Sequence, residues 1–356
     1  MAEIRSNTQY RDGHEDGFEP VKSLDLSQIN SFADMLDAYR QTSFGARQLG
    51  EALSIMEEMA NDPDCYVVCT LTGAMTVAKM GLVLCEMIER GYVDCVISTG
   101  ALQAHGMIEG TGMDHFKYRP DMDDAELYEK GYDRVYDTLE LEKNLDALEL
   151  IVRQVLDKVP SDEPMGSVDL CRRLGEFLHD TFDGQRGILK SAYEHNVPVY
   201  IPAFTDSELG LDVAVHNQAR RAAGRGPIHF DPFVDLNHYT DQIRAQKKLG
   251  IFTIGGGVPR NWAQQVGPYL EISRLRLGLE GNETQRFSYG VRICPEPVHW
   301  GGLSGCTYSE GTSWGKFVPV GEGGRYAEVY SDATLVWPIL VRAMMERVPM
   351  KAGKAG

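Results

Sequence analysis

The chain alternates short apolar segments with longer stretches of helical character. Residues 66–71, 93–97, 197–201 and 250–254 are apolar runs of strand length, and each ends in small or polar residues. Residues 326–330 form a further strand that leads into a final apolar helix. Strands that alternate with helices are typical of a parallel sheet with helices on both faces. We therefore predict an α/β fold built on such a sheet.

The rest of the chain is predicted to contain two early helices, an acidic excursion and an N-terminal arm before a single domain. Apolar residues at helical spacing predict one helix over 31–59 and a second over 75–90. Residues 113–150 are rich in Asp, Glu and Tyr, which indicates an excursion followed by an acidic helix. The polar residues 1–20 are interpreted as a flexible N-terminal arm. No repeat or linker divides the remainder, so residues 21–356 are predicted to form a single domain.

Charge restricts the class of partner. The formal net charge is -17, from 52 acidic and 35 basic residues, which disfavours nucleic acid and would attract a cationic ligand such as a polyamine. The same charge is also explained by solubility alone. No apolar run approaches the roughly 18 residues of a membrane span, and the first twenty residues lack the apolar core of a secretion signal. We expect a cytoplasmic protein.

The cysteines indicate neither a disulfide framework nor a zinc site. There are seven, an odd number, and several lie within apolar runs where cysteine acts as a small buried residue. Cys65 and Cys69 have no second pair at zinc-ligand spacing. A reduced protein without a metal is the expectation.

The residues after the strands are candidates for ligand binding, because ligands of open α/β sheets lie at the carboxyl ends of the strands. Gly255, Gly256 and Gly257 follow one strand and would let the backbone approach a pyrophosphate closely, although a tight turn without a ligand has the same sequence. Asp206 and Asp332 also follow strands. Each could accept hydrogen bonds from ribose hydroxyls or cap the next helix.

The segment from Glu310 to Lys316 is the most unusual. A lysine near a tryptophan and partly removed from water would have a lowered pKa and could attack a carbonyl or imine carbon. Trp314 could hold an alkylammonium by cation–π attraction, with Glu310 as the opposite charge. An exposed loop lysine is the plain alternative.

Several of these segments, in this order, resemble motifs of the deoxyhypusine synthase family over nearly the whole chain after the arm. The resemblance is carried by Ser98-Thr99-Gly100, Pro202-Ala203-Phe204-Thr205-Asp206 with Leu209-Gly210, Gly255-Gly256-Gly257-Val258, Ser313-Trp314-Gly315-Lys316, and Tyr330-Ser331-Asp332-Ala333 with Leu335-Val336.

The resemblance implies a Rossmann-like fold, a homotetramer, and NAD-dependent transfer of an aminobutyl group from a polyamine. Lys316 matches the lysine that carries the aminobutyl group as an imine, and Trp314 and Glu310 match residues that hold the amine. The positions that match the NAD site are Ser98, Thr99, Gly100, Asp206, Gly255, Gly256, Gly257, Ser304, Asp332 and Ala333, with Thr72 and Gly73 matching more loosely.

Three positions depart from the family pattern at the amine end of the site. The family has carboxylates where this chain has Leu211 and Leu303, and a histidine where it has Asn261, which we keep as a substrate-binding candidate. Loss of two carboxylates should weaken the binding of one ammonium group of a polycation. Nearby polar residues that could replace them are Asp212, Glu208, Glu296 and His299.

The altered amine end favours a small amine as acceptor, for example putrescine giving homospermidine, within an otherwise retained lysine-imine chemistry. The first alternative is deoxyhypusine synthase activity on a lysine of a translation-factor protein. A protein that binds NAD without turnover, and an ordinary alcohol or amine dehydrogenase, are further alternatives.

Overall fold

The structure is a computed structural model that describes residues 10–160, 163–278 and 285–351. Its strands are β1 (Cys65–Leu71), β2 (Cys95–Ser98), β3 (Phe116–Lys117), β4 (Tyr132–Val135), β5 (Thr138–Leu141), β6 (Val199–Tyr200), β7 (Lys248–Ile254), β8 (Phe287–Ile293) and β9 (Arg325–Val329).

The helices between and around these strands follow in chain order. They are α1 (Phe32–Arg40), α2 (Phe44–Asn61), α3 (Gly81–Glu89), α4 (Gly100–Gly110), α5 (Asp124–Glu129), α6 (Glu142–Leu156), α7 (Ser167–Thr181), α8 (Ile188–Glu194), α9 (Glu208–Ala222), α10 (Pro232–Arg244), α11 (Gly257–Gln264), α12 (Val266–Leu277), α13 (Tyr308–Ser313) and α14 (Ala333–Arg347). Short 3-10 turns lie at Leu26–Gln28, Val298–Trp300, Leu303–Gly305 and Val320–Glu322.

Six strands form the main sheet in the order β6-β2-β1-β7-β8-β9, and every neighbouring pair is parallel. The chain builds the sheet outward from β1 through β2 to β6, and then crosses to the other side of β1 to add β7, β8 and β9. Omitting the small inserted sheet, this is the 3-2-1-4-5-6 order of a Rossmann fold. The prediction of a Rossmann-like parallel sheet is confirmed.

Both faces of the sheet are covered. In β1 the side chains alternate between two apolar clusters: Val67 and Cys69 belong to the larger cluster and Tyr66 and Val68 to the smaller one on the opposite face. Because successive strand residues point to opposite faces, this division shows that the sheet is buried on both sides. All seven cysteines are free thiols, and six of them are buried.

The predicted single helix over 31–59 is wrong, because the structure has two helices, α1 and α2, that pack against each other. Ser31 caps α1, and α2 begins at Phe44, whose φ of 60° lies in the left-handed region. The two backbones come so close that a Cβ on Gly50 would lie 2.4 Å from the carbonyl oxygen of Leu36. A chain that must fold back on itself here cannot continue as one helix.

Other boundaries also differ from the predictions. Only Gly81–Glu89 of the helix predicted over 75–90 is helical; the preceding turn has Lys79 at a φ of 62°, and the Thr76 hydroxyl donates to the carbonyl of Leu102 in α4. The excursion over 113–150 contains the antiparallel sheet β3-β5-β4 and α5 before α6 begins. β8 was not predicted.

Part of the predicted N-terminal arm lies within the described residues. Residues 10–20 are exposed and include a turn over 13–17, whereas residues 1–9 lie outside the described residues. Among the described helices, none combines the length and apolar character that crossing a bilayer requires.

Candidate functional site at the carboxyl edge of the parallel sheet

The strand order places the binding crevice beside β1. The chain leaves β1 toward β2 on one side and returns to β7 on the other, so the loops after β1 and β7 diverge. Ligands of open α/β sheets occupy the crevice at such a switch point, outside the carboxyl ends of the strands. Thr72 and Gly73 follow β1, the glycine triplet follows β7, and residues 98–100 end β2 and begin α4.

The glycine triplet brings the loop after β7 against two other segments. Gly255 has a φ of +77°, and a Cβ there would lie 2.1 Å from Oγ1 of Thr72. The Gly256 amide donates to Oγ1 of Thr72 at 3.0 Å, and a Cβ on Gly256 would lie 2.4 Å from Cα of Ser304. Only glycine fits at these two positions, so Thr72, the triplet and Ser304 form one continuous surface.

Two helices begin at this surface without a side-chain cap. Thr99 precedes α4 and Gly256 precedes α11, and neither offers a side-chain hydrogen bond to the first turn of its helix. The first amides of a helix have no partner within the helix and carry partial positive charge, so an uncapped start is suited to a phosphate. The Ser98 hydroxyl, by contrast, is buried and hydrogen-bonds within the protein, accepting from Gln103 at 2.8 Å.

The two acidic candidates behave differently. Asp332 caps α14 by accepting from the Thr334 amide at 2.8 Å, with Ala333 buried behind it, which is the capping alternative for this residue. Ser207, and not Asp206, caps α9. Asp206 is exposed, and within the described part of the chain its carboxylate accepts no hydrogen bond, so it is free to accept from a ligand.

These features fit a dinucleotide. A cradle of glycines that a Cβ would fill, two uncapped helix starts and a free carboxylate are the groups that hold the pyrophosphate and a ribose in Rossmann folds. The residues that could hold a dinucleotide are those of the glycine triplet and of the α4 start, with Thr72, Ser304 and Asp206.

Lys316 is buried beside this cradle. Its side chain reaches α11, where Nζ donates to Oδ1 of Asn261 at 3.0 Å, and Nζ lies 5.9 Å from the ring centre of Trp314. Burial is the main cause of the lowered pKa of Lys316; Cys306 raises the pKa, Arg260 lowers it and Glu310 raises it, each by less than burial lowers it. A larger fraction of this amine is therefore neutral, and nucleophilic, than for an exposed lysine.

Two buried arginines that the sequence analysis missed hold the loop between the cradle and the lysine. Arg260 donates to the Cys306 carbonyl at 2.7 Å, and Arg292 donates to the same carbonyl and to that of Ser304. Arg292 also pairs with Glu328 of β9 at 3.0 Å. An arginine near the end of β8 gives no motif, so only the packing identifies its role.

The expected amine-binding groups are exposed. Trp314 is 67% exposed and Glu310, in α13, is also exposed, so both are accessible to a ligand. Leu211 and Leu303, which replace family carboxylates, are 62% and 59% exposed. Neither leucine is part of the apolar core, and each presents an apolar surface where the family presents a charge.

In the described residues no hydrogen bond or ion pair joins any of the four proposed substitutes for those carboxylates to Lys316. Asp212 faces Glu149 and Glu208; burial and then these two carboxylates raise its pKa to about 6. Glu208 lies 3.7 Å from His105 of α4. Glu296 packs against Gly302, and His299 lies exposed beside Trp300.

A cavity of about 680 Å³ lies at the opposite end of β6, between α7, α8 and α10. Its lining includes Asn196, Val199 and His238, and none of the candidate site residues. We therefore base the site on the strand ends and the lysine and not on this cavity.

Comparison with known proteins agrees with this geometry. The family model for deoxyhypusine synthase matches residues 34–344. Probable deoxyhypusine synthase 2 of Methanosarcina acetivorans is 30% identical over 328 residues, which cover 92% of this chain and 90% of the relative. A deoxyhypusine synthase-like protein of Chlorobaculum parvum is 31% identical over 327 residues, 90% of this chain and 88% of the relative.

A solved structure agrees in fold. A crystal structure described as a putative deoxyhypusine synthase from Entamoeba histolytica superposes with a TM-score of 0.58, covering 94% of this chain and 100% of that one, at 15% sequence identity. The likeness at this identity concerns the arrangement of the strands and helices.

Proposed function

Because the chain belongs to the deoxyhypusine synthase family, we propose that it is an NAD-dependent transferase that moves an aminobutyl group from a polyamine to an amine acceptor by way of an imine at Lys316. The observation that supports this most is the position of Lys316: buried, with a lowered pKa, and joined through Asn261 to the helix that begins at the glycine cradle.

NAD, when bound, supplies the means to oxidise the carbon–nitrogen bond of the donor and later to reduce the product imine. The role of Lys316 lies between these events. Its neutral Nζ adds to the imine carbon of the donor, the bond from that carbon to the donor nitrogen breaks as a carbon–nitrogen double bond to Nζ forms, and the donor amine leaves with the two protons that Nζ gives up. The acceptor amine displaces Nζ by the same exchange in reverse.

Asn261 positions the lysine in this scheme. Its Oδ1 accepts a hydrogen from Nζ, which directs the Nζ lone pair away from α11. A carboxamide does not exchange protons near neutral pH, so Asn261 cannot move a proton as a histidine at this position could. Trp314 and Glu310 provide an aromatic face and an exposed carboxylate for the ammonium groups of the substrate.

A small free amine is the acceptor that we favour. Leu211 and Leu303 leave the amine end of the site with less negative charge than the family pattern provides, and Asp212 faces other carboxylates and not the lysine. Putrescine as acceptor would give homospermidine. The second candidate is transfer to a lysine of a translation-factor protein, which the names of the archaeal relatives favour.

The test is mass spectrometry of the amines formed when the protein is incubated with NAD and with putrescine or spermidine. Homospermidine or diaminopropane without net NADH would support transfer, because a dehydrogenase accumulates NADH with its product. Borohydride added during turnover should leave an aminobutyl adduct on the peptide that contains Lys316. The acceptor protein, added to a parallel reaction, distinguishes the second candidate by a mass increase on one of its lysines.

Two conservative variants make the test specific. Lys316→Arg keeps the positive charge but cannot form the imine, and should abolish both product and adduct. Lys190→Arg is the matched control, since Lys190 is equally buried and donates to the carbonyl of Phe182, but lies on α8. Loss of activity in both variants, or adduct on other lysines only, would contradict the role given to Lys316.

The family resemblance also predicts a homotetramer, which the single chain leaves as a prediction. Light scattering of the purified protein measures it directly, and a monomeric active enzyme would contradict it.

A further inference from the structure

Three side chains that the transferase scheme does not use converge beside the start of α9. They are His105 of α4, His115 just before β3, and Glu140 of β5. The Nδ1 atom of His105 lies 3.2 Å from Oε2 of Glu140, and the Nε2 atom of His115 lies 2.5 Å from the same oxygen. One potential ligand atom from each residue falls within 4.8 Å of the others.

The cluster is shielded from water. The side chains of Glu140 and His115 are each 1% exposed, and that of His105 is 14% exposed. The Nδ1 atom of His115 has no hydrogen-bond partner within the described structure, and its Nε2 atom meets only the Glu140 carboxylate. Buried polar atoms nearly always have partners, so the unpartnered Nδ1 and the close contact of Nε2 with a carboxylate oxygen need an explanation.

Neighbouring groups hydrogen-bond to or face the three side chains, as the residues around metal ligands in proteins commonly do. The second oxygen of Glu140 accepts from the Leu141 amide at 2.9 Å and from Asn144 at 3.4 Å, which leaves Oε2 facing the histidines. The other nitrogen of His105 faces Glu208 at 3.7 Å. A histidine held between a metal and a carboxylate is a recurrent arrangement, because the carboxylate fixes the tautomer and the ring orientation.

We propose that His105, His115 and Glu140 bind a divalent transition-metal ion, of which zinc is the best match. Imidazole nitrogen and carboxylate oxygen are zinc ligands, and three protein ligands with one open position are common in zinc proteins. Metal–ligand bonds of about 2.0–2.1 Å place tetrahedral ligands about 3.3 Å apart. The ion therefore requires the His115–Glu140 contact to open by less than about 1 Å.

The ion would tie α4 to the small antiparallel sheet. Glu208, which faces His105, is the first residue of α9 and stands two residues after Asp206. The metal would thus stabilise the segment that precedes α9. This inference does not depend on the proposed transferase activity.

The experiment uses the full chain, stripped with a chelator and then dialysed against micromolar Zn²⁺. We expect one zinc per chain by elemental analysis and a higher melting temperature with zinc than with chelator, because a ligand that binds the folded state stabilises it. Co²⁺ in place of zinc should give visible d–d absorption bands. No stoichiometric zinc, or no bands at saturating Co²⁺, would overturn the proposal even if every variant failed to fold.

Variants locate the ion. His115→Gln and Glu140→Gln should each weaken zinc binding by more than the roughly 10–100-fold that loss of an outer partner costs, and Glu208→Gln should weaken it by about tenfold. His179→Asn is the matched control, because His179 pairs with Glu194 at 2.9 Å on the surface without a third ligand. Equal zinc binding by the His115→Gln variant and the wild type would place the ion elsewhere and refute the assignment.

Discussion

At the scale of single residues, the chemistry of Lys316 depends on what surrounds its amine. Burial removes water that would solvate the ammonium form, and this effect exceeds the opposing effect of Cys306, so the pKa of Lys316 falls below its ordinary value. The neutral fraction therefore rises with pH through a pKa below that of a free lysine. Lys248 shows the opposite case, since its hydrogen bond to Asp62 raises its pKa.

The opposite pKa shifts of Lys316 and Lys248 predict different pH dependences for their modification in the same protein. With a small aldehyde and cyanoborohydride, modification of Lys316 should reach half its maximal rate at a lower pH than modification of Lys248, because only the neutral amine attacks. Peptide mass spectrometry across a pH series measures both sites in one sample. Coincident profiles, or Lys248 reacting at the lower pH, would contradict the lowered pKa of Lys316.

Replacing Leu303 with aspartate restores a carboxylate at this position and tests its effect on amine binding. Leu303→Asp should tighten spermidine binding by about 1 kcal/mol, roughly five- to tenfold, since a half-exposed carboxylate gains a charge-assisted bond to an ammonium group. Calorimetric titration in the presence of NAD measures the change. Leu275→Asp is the control: this leucine of α12 is 71% exposed, and the variant has the same net charge. Equal tightening in both variants would assign the effect to overall charge.

Sequence reasoning could reach only part of this site. Lys316, Trp314 and the glycine triplet belong to local motifs, and the structure brings Lys316 to Asn261 and the triplet to Ser304. The carbonyl contacts of Arg260 and Arg292, and the convergence of His105, His115 and Glu140, join segments far apart in the chain. No spacing rule links them, because the distances between them are set by tertiary packing.

At the scale of the elements, the deeply buried central strand β1 could be predicted from its composition. Every residue of β1 is buried, and apart from Thr70 all of them are apolar. β8 escaped prediction because Ser288 and Tyr289 are only partly buried, and Arg292 is buried through its pairing with Glu328. The charge of Arg292 interrupts the apolar pattern of β8, although β9, which carries its partner Glu328, was predicted.

The turn between α1 and α2 was also not predicted. The feature that requires it is a contact between the two helices, and a contact of this kind leaves no helix-breaking residue in the sequence. Gly50→Ala should destabilise the protein by about 1–3 kcal/mol, because its Cβ would meet the α1 backbone at 2.4 Å and force the helices apart. Gly45→Ala, in the same helix with open space around it, should instead stabilise by about 0.5–1 kcal/mol. Denaturant unfolding of both variants measures the difference, and equal effects would contradict the close crossing.

At the scale of the whole molecule, the strand order brings the candidate site residues after β2, β1 and β7 to one crevice. The insertion that carries β3, β4 and β5 lies between β2 and β6, and it does not interrupt the central strands β2, β1 and β7 whose ends form the crevice. The class of sheet could be predicted from the alternation of segments, but the pairing of β1 with both β2 and β7 could not. Both pairings are between strands that are almost entirely buried, and the sequence offers no register signal to choose among them.

The net charge of -17 acts on the molecule as a whole and should govern how a polyamine reaches this crevice. Raising ionic strength from about 0.01 M to about 0.15 M shortens the Debye length from about 30 Å to about 8 Å, which screens charges outside the site. The Kd for spermidine should therefore rise by about three- to tenfold, mainly through a slower association rate, whereas NAD, an anion, should bind no more weakly. Stopped-flow fluorescence separates the two rates.

A charge-reversed variant distinguishes long-range attraction by the net charge from direct contacts between the polyamine and the site. Glu129→Lys with Asp183→Lys changes two exposed residues outside the candidate site, each by two units of charge. The variant should associate with spermidine more slowly at low salt and match the wild type at high salt, with unchanged dissociation, because steering acts only before contact. A variant that associates as fast as the wild type at low salt would show that local contacts alone attract the amine.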